Sequence, residues 1–455
     1  MPDLAYGEVY AMNPREASKR RVQTYRGKRR KMWWAKRSVP GVDRSCEKLA
    51  FPSSRDRDVR GVACLAREAE GTYTARYSDS PQPEREAIMT DPRVEKLAQV
   101  LTEYSAPVQE GDQVAIQGSP LAQPLLLALY RAVLRRGGHP LIFMDVPGAE
   151  EIFLREASDA QLEFVSPVRR MVVETFDVLY HVLSEPNTRS LTRVDPTRQA
   201  RRRYAQRDLF RIYIERAARG GLKWCLTLFP TEAYAQDAEM SLQEYEEFVF
   251  GAGLLDDPDP VARWKEVQAE QQRLVDWLKG HREVRVVGPN CDLRLEITGR
   301  AFVNACGKEN FPDGEIFTSP VEDSAEGWIR FTYPAIMDGR EVTGITLRFR
   351  GGEVVEAQAE KGQEFLREML AVDDGARRLG EFAIGTNRNL KQFTRNILFD
   401  EKLGGTIHLA LGRGFPEAGG RNESALHWDM ICAMEGGGEI WVDGILFYRG
   451  GAFQV

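Results

Sequence analysis

The stretch GGTIHLALGRGFPEAGGRNESALHWD, residues 404–429, decides how the chain is read. It holds two of the five histidines, His408 and His427, and ends in His-Trp-Asp. Side chains at i and i+2 of a strand share a face, so His427 and Asp429 project together if ALHWDMI is a strand. An imidazole and a carboxylate on one face are a ready pair of metal ligands. The competing reading of this stretch alone is a buried histidine bonded to a neighbouring acid.

Working outward, two more short stretches supply carboxylates. NFPDGEIFTSP (310–320) sets Glu315 after a Pro-Asp-Gly turn and before a Thr-Ser-Pro stop. LGEFAIG (379–385) sets Glu381 among Leu, Phe, Ala, Ile and glycines. A buried Glu in such surroundings is costly unless a cation, a hydrogen-bond network or a metal meets it. The alternative for each is an outward strand position. Three carboxylates and two imidazoles in one domain suit two adjacent divalent ions such as Zn, Co or Mn.

The surrounding pattern is α/β followed by β-rich. From Met89 to about residue 284, apolar runs at 113–118, 139–144, 176–184 and 222–230 read as strands, with helices between them. The first helix spans about 92–104, with Asp91 as N-cap and Pro92 at its first position. The β-α-β order predicts a parallel sheet. Residues 190–220 read as one long, Arg-rich helix with a mostly solvated face. The Gly-Ser-Pro turn after the first strand lacks either nucleotide-binding glycine pattern. From 285 to 455 the sequence alternates like strands, with a meander expected over 329–360 and one helix at 361–371. The expected fold is therefore an N-terminal α/β domain with a parallel sheet (89–284) and a C-terminal β-rich α+β domain carrying the metal site (285–455).

Residues 1–88 differ from the rest. They carry 19 Lys and Arg against 12 Asp and Glu, a balance of +7, so the remainder holds −13 of the total −6. The run RVQTYRGKRRKMWWAKR (21–37) is basic with interleaved aromatics, a pattern compatible with a nucleic-acid-binding arm. Weak periodicity and recurring Pro, Ser and Arg favour a disordered or extraneous extension instead.

Composition narrows the class. At 455 residues, 42% hydrophobic and 29% charged, the chain is an ordinary globular protein with room for two or three domains. The net charge of −6 makes no case for nucleic acid or an anionic membrane as partner. No apolar run approaches the roughly 20 residues of a membrane span. No secretory leader pattern opens the chain. The six cysteines are scattered without a C-x-x-C pair, which fits reduced thiols and a cytoplasmic location. G-x-S-x-G, a Cys-centred signature and HExxH are absent, so serine, cysteine and zincin-type hydrolases are not indicated.

Taken in order, NFPDGEIFTSP, RRLGEFAIGTN, LFDEKLGGTIHLALG and NESALHWDMI resemble the thermophilic metallo-aminopeptidase family of the aminopeptidase T and aminopeptidase S type. PVQEGDQVAIQG and FPTEAYAQDAEMSLQEYEEFV also look familial, so the likeness runs from about Met89 to the C-terminus. It implies a dinuclear metallo-aminopeptidase, a homodimer, which removes residues from peptides with a free N-terminus. It implies metal ligands at Glu315, Glu381, His408, His427 and Asp429, with Glu315 or Glu381 also placed to act in catalysis. One departure stands out. The family has Tyr in a G-x-x-Y-P stretch after the first His, where this chain has Phe415 in GRGFPE; Tyr333 and Tyr448 are the candidates to replace its hydroxyl. The ligand set alone does not choose the bond cleaved. A two-metal phosphoesterase or amidase stays open, with GTNRNLKQFTR (385–395) as its basic candidate, as does a catalytically impaired relative.

Overall fold

Four parallel strands come first, each an apolar run ended by Gly, Pro or Ser. They are Gln113–Gly118, His139–Met144, Val178–Leu183 and Lys223–Leu228. In space the order is second, first, third, fourth, and a short fifth strand, Asn310–Phe311, adds in parallel beside Lys223–Leu228. This computed structural model describes residues 91–337 and 339–455; the readings made for 1–88 lie outside them.

The first helix, Pro92–Val100, begins as expected: the Asp91 carboxylate accepts from the Arg93 N–H at 2.8 Å. It continues as a π-helical turn, Leu101–Ser105. The long Arg-rich helix is shorter than expected, Pro196–Ala218, because Asp195 caps it by accepting from Thr197 N–H and proline occupies its first position. Its face is less solvated than the arginine count implies: Arg198, Arg202 and Arg216 donate to backbone carbonyls of neighbouring segments. Three short helices not expected from the sequence, Asp159–Leu162, Pro167–Thr175 and Glu232–Asp237, also lie in this region.

From Glu283 onward the strands other than Asn310–Phe311 pair antiparallel. An eight-stranded sheet runs, in spatial order, through the strands beginning at Glu353, Thr346, Glu326, Cys291, Glu283, Glu439, Ile445 and Ala452. A five-stranded sheet has the order His427–Ala433, Thr406–Gly412, Leu379–Gly385, Glu315–Thr318, Val303–Ala305. The two share one core, in which Val284, Leu293 and Leu347 meet Phe382, Ile407 and Met430. The expected meander over 329–360 is interrupted: Ala335–Met337 and Arg340–Val342 form a hairpin of their own. The four described cysteines, Cys225, Cys291, Cys306 and Cys432, are buried free thiols.

Two glycines explain how loops approach the Glu381 strand. The register of that strand against Thr406–Gly412 shifts between Leu379 and Glu381, a bulge centred on Gly380. A Cβ on Gly380 would stand 2.0 Å from the Arg413 carbonyl oxygen, and one on Gly385 would stand 2.0 Å from that of Leu403. Only hydrogen fits in either place. Gly380→Ala is therefore expected to destabilise the protein by about 1–3 kcal/mol through overpacking, read as a lowered melting temperature. An unchanged melt would show that the Arg413 loop yields.

Candidate metal centre

Backbone alternation sorts the side chains of the five-stranded sheet into two faces. Ile316, Phe382, Ile384, Ile407, Leu409, Leu411, Trp428 and Met430 enter the shared core. Glu315, Glu381, His408, His427 and Asp429 occupy the alternate positions and so project from the opposite face. Their registers align: Asp429 is opposite Ala410, Ala410 opposite Glu381, His408 opposite Ala383 and Glu315 opposite Gly385. Ala383, Ala410 and Gly385 form a low floor between the functional groups. All five residues expected from the sequence thus come together.

The distances define two lobes around one carboxylate. Glu381 Oε1 lies 3.5 Å from His408 Nε2, and Glu381 Oε2 lies 3.5 Å from His427 Nε2. On the first side Glu315 Oε2 is 3.6 Å from His408 Nε2; on the second Asp429 Oδ1 is 3.5 Å from His427 Nε2. Both imidazoles are fixed from behind. Each Nδ1–H donates to a carbonyl, His408 to Glu401 O at 3.1 Å and His427 to Arg413 O at 2.9 Å, which turns each Nε2 inward.

The donor chemistry of these groups suits a cation. Glu315 Oε2, His408 Nε2 and Asp429 Oδ1 are buried without a hydrogen-bond partner. Leaving such atoms unsatisfied costs about 1–3 kcal/mol each. Imidazole nitrogen beside carboxylate oxygen is the donor set of a divalent transition ion. Potential ligand atoms gather within 4.8 Å in three overlapping groups: Glu315, Glu381 and His408; Glu381, His427 and Asp429; Glu401, His408 and Asp429.

Burial and neighbouring charges shape the titration of Glu315, Glu381, His408 and His427. Burial pushes Glu315 up to about 8 against the pull of Lys402. Burial also works to raise Glu381, but the adjacent imidazoles overturn it and hold the carboxyl down at about 2. Burial opposes charge on His408 as well, yet Glu381, Glu315 and Asp429 lift it to about 10. His427 is raised too, with Asp429 and Glu381 outweighing burial.

Sequence reading missed the residues around Glu315. Lys402, almost wholly buried, places Nζ 2.5 Å from Glu315 Oε1, 2.5 Å from Glu401 Oε1 and 3.5 Å from Asp313 Oδ1. Leu398, Phe399 and Leu403 sink into the α/β core on either side and carry the Glu401–Lys402 pair down with them. Charges interrupting the apolar frame of LFDEKLGG were the available signal, the same cost of burial that singled out Glu381. Gln271 of the helix Pro260–Leu278 was missed as well. Its Nε2 donates to the carbonyls of Ala305 and Glu315 at 2.9 Å each, tying the start of the Glu315 strand to that helix.

The remaining candidates separate. Phe415 is buried with its ring centroid 5.1 Å from that of His427 and 4.8 Å from that of Phe317, so the position expected to hold Tyr does stand at the centre. Tyr333 stacks on Phe393, and Tyr448 packs on Phe453; their charged neighbours are Glu435 and Asp400 for the first, Arg388 and Glu435 for the second. The basic stretch 385–395 is a loop rather than a helix face. Arg388 donates to Gly451 O, and Arg395 to Asp237 O, Glu239 and Glu341.

Comparison with known proteins agrees with this geometry. The profile described as thermophilic metalloprotease (M29) matches residues 90–453. Aminopeptidase 2 of Geobacillus stearothermophilus is 27% identical over 391 residues, covering 77% of this chain and 94% of that protein. Aminopeptidase T of Thermus aquaticus is 30% identical over 295 residues, 58% of this chain and 72% of that one. The fold is shared with the solved structure of wild-type AmpT from Thermus thermophilus: TM-score 0.71, 24% identity, 80% of this chain and 99% of the other. The chain belongs to the thermophilic metalloprotease family (M29) and is a metalloprotease whose relatives named here are aminopeptidases.

Proposed function

We propose that the chain is a dinuclear metallo-aminopeptidase, cleaving the first residue from peptides with a free N-terminus. The observation that carries the two-ion reading is Glu381, whose two oxygens face two different imidazoles. One cation would be held by Glu315, Glu381 and His408, the other by Glu381, His427 and Asp429. Charge supports the number. Asp313, Glu315, Glu381, Glu401 and Asp429 are five carboxylates against the single ammonium of Lys402, a formal −4 with neutral imidazoles, which two divalent ions cancel. Zn, Co and Mn all suit such O and N donors.

When bound, the cations supply a water acidic enough to ionise near neutral pH and a charge for the scissile carbonyl oxygen. The chain's own residues set the stage. The carbonyls of Glu401 and Arg413 hold the two imidazoles in one orientation, so little reorganisation is needed. The small, buried residues Ala383, Ala410 and Gly385 leave room between the strands for the carboxylates and imidazoles to converge. Phe317 and Phe415 form an apolar wall for a side chain. Peptide is favoured over phosphoester because Arg388 and Arg395 are engaged elsewhere and Lys402 is enclosed by three carboxylates.

The same reading includes a homodimer and a catalytic unit beginning near residue 89. The helix Gln123–Arg135 leaves Leu127, Tyr130 and Leu134 exposed at spacings of one helical face, an apolar stripe open to a second subunit. The family match begins at residue 90. We keep the expectation of a cytoplasmic location; among the described residues no helix is long and apolar enough to cross a membrane.

The test joins composition to activity. Purified protein, and a chain starting at Met89, should hold two metal ions per subunit in a two-subunit particle. Both should cleave leucyl-p-nitroanilide, lose that activity to a chelator and regain it with Zn or Co. Equal cleavage of the N-acetylated substrate would end the exopeptidase reading, and chelator-resistant cleavage would end the metal mechanism.

Two further outcomes follow from the centre's chemistry. Metal-free protein carries protons on His408 and His427 at neutral pH, since both are raised far above the ordinary imidazole value. Ligation requires neutral imidazole. Loading should therefore release two or more protons per subunit, and apparent metal affinity should climb as pH rises through neutral toward about 10, where His408 loses its proton. Calorimetric titration in buffers of different ionisation heat measures both; release of no protons would contradict the ligand assignment. Phe415→Tyr restores the hydroxyl the family places beside the second histidine. It should raise kcat about tenfold or more with little change in KM, in the manner of a donor to a developing oxyanion. An unchanged kcat would show that the hydroxyl has no role in this chain.

A further inference from the structure

Amide hydrolysis moves one proton twice: away from the attacking water and onto the departing nitrogen. The group that carries it must reach the reaction, hold a fixed orientation and keep an oxygen free of other duties. Under the two-cation reading proposed above, the obvious carboxylates fail the last condition. Glu315 gives Oε1 to Lys402 and turns Oε2 toward His408. Both oxygens of Glu381 face imidazoles. Asp429 turns Oδ1 to His427 and is committed as a ligand of the second cation in that reading.

Glu401 meets all three conditions. Its backbone carbonyl holds His408 Nδ1 at 3.1 Å, so its position is locked to a ligand imidazole. Its Oε1 is clamped at 2.5 Å by Lys402, the same ammonium that clamps Glu315. A Glu401 oxygen also gathers within 4.8 Å of ligand atoms of His408 and Asp429, at the edge of both lobes. Its side chain keeps 15% exposure where those of Lys402 and Glu315 keep 1% and 4%, so it is the least enclosed of the three. The turn beneath it is rigid: Asp400 accepts from Thr394 N–H at 2.7 Å and from Thr394 Oγ1 at 2.8 Å.

We propose that Glu401 is the proton-transfer residue of this enzyme and that Lys402 is its positioning residue. As the water oxygen bonds to the scissile carbonyl carbon, one water proton passes to the Glu401 carboxylate. As the carbon–nitrogen bond breaks, that proton passes to the nitrogen. Water and peptide become a free amino acid and a peptide one residue shorter, and Glu401 returns to its starting state. Neither oxidant nor co-reactant enters.

The test is Glu401→Gln, made beside Glu401→Asp in the metal-loaded protein. The amide keeps size and hydrogen bonding but cannot carry the proton. Expected are a kcat loss on leucyl-p-nitroanilide on the order of 10²–10⁴, KM within about threefold, an unchanged melt and two metal ions retained per subunit. Glu401→Asp, which keeps the acid on a shorter arm, should recover part of the rate. Three results would overturn the assignment: a Gln variant within about fivefold of the parent kcat, a fall in metal content parallel to the fall in rate (which would make Glu401 a ligand), or an Asp variant no better than Gln. A parent protein that does not cleave the substrate would remove the underlying aminopeptidase reading and this role with it, a result visible in the parent alone.

Discussion

Everything at the centre depends on the two-residue repeat of extended backbone. In LGEFAIG, TIHLALG and HWDMI the same alternation drives apolar residues into the core and leaves acids and imidazoles on the other face. The core therefore fixes the site. Phe382, Ile384, Ile407, Leu409, Trp428 and Met430 are almost completely buried between two sheets, so none can turn out without a large loss of hydrophobic burial. A register slip of one residue would turn Glu381 and His408 into the apolar core and put their apolar neighbours on the ligand face. The cost of that exchange sets the relative positions of the ligands, which the strand registers then bring opposite one another.

That rigidity has an electrostatic cost. Five carboxylates around one ammonium, most of them shielded from water, repel each other and lose hydration. The fold tolerates this because the charges are partly answered by fixed groups: Lys402 on Glu315, Glu401 and Asp313, and the imidazoles on Glu381. The remainder is what cations would neutralise. Under the proposed two-cation reading the ions would relieve this strain, so metal binding and stability would be coupled.

The faces of the strands were legible because alternation is local. His427-x-Asp429, Glu381 amid apolar residues and Glu315 after its turn could each be read within seven residues, and the parallel sheet followed from the β-α-β order. Elements that depend on distant partners were not. Lys402 makes sense only once Leu398, Phe399 and Leu403 are known to enter the α/β core, a contact across more than a hundred residues of chain. Gln271 lies on a helix whose amphipathic pattern marks it as ordinary, and its bonds to Ala305 and Glu315 come from the packing of that helix against the sheet. The arginines of Pro196–Ala218 read as solvent-facing because their carbonyl partners lie on other segments. The interrupted meander has the same origin: each of its strands is locally sound, but which strand pairs with which is a tertiary choice.

Phe415 shows how far such a departure reaches. The position does two things: it supplies a ring and, in the family, a hydroxyl. The ring's work is intact here. It fills the space between Phe317 and His427, and its N–H donates to Ser319 Oγ at 2.8 Å, which anchors the loop carrying Arg413. Arg413 O in turn orients His427. Loss of the ring would loosen a ligand; loss of the hydroxyl alone leaves the ligand's support unchanged. Five converging ligands, two carbonyl-tethered imidazoles and a clamped Glu401 are also more than a decaying site would retain, since each buried acid destabilises a fold that has no use for it. The substitution therefore leaves the packing and hydrogen bonds that hold His427 in place, and under the proposed function its effect falls on the rate of the chemistry.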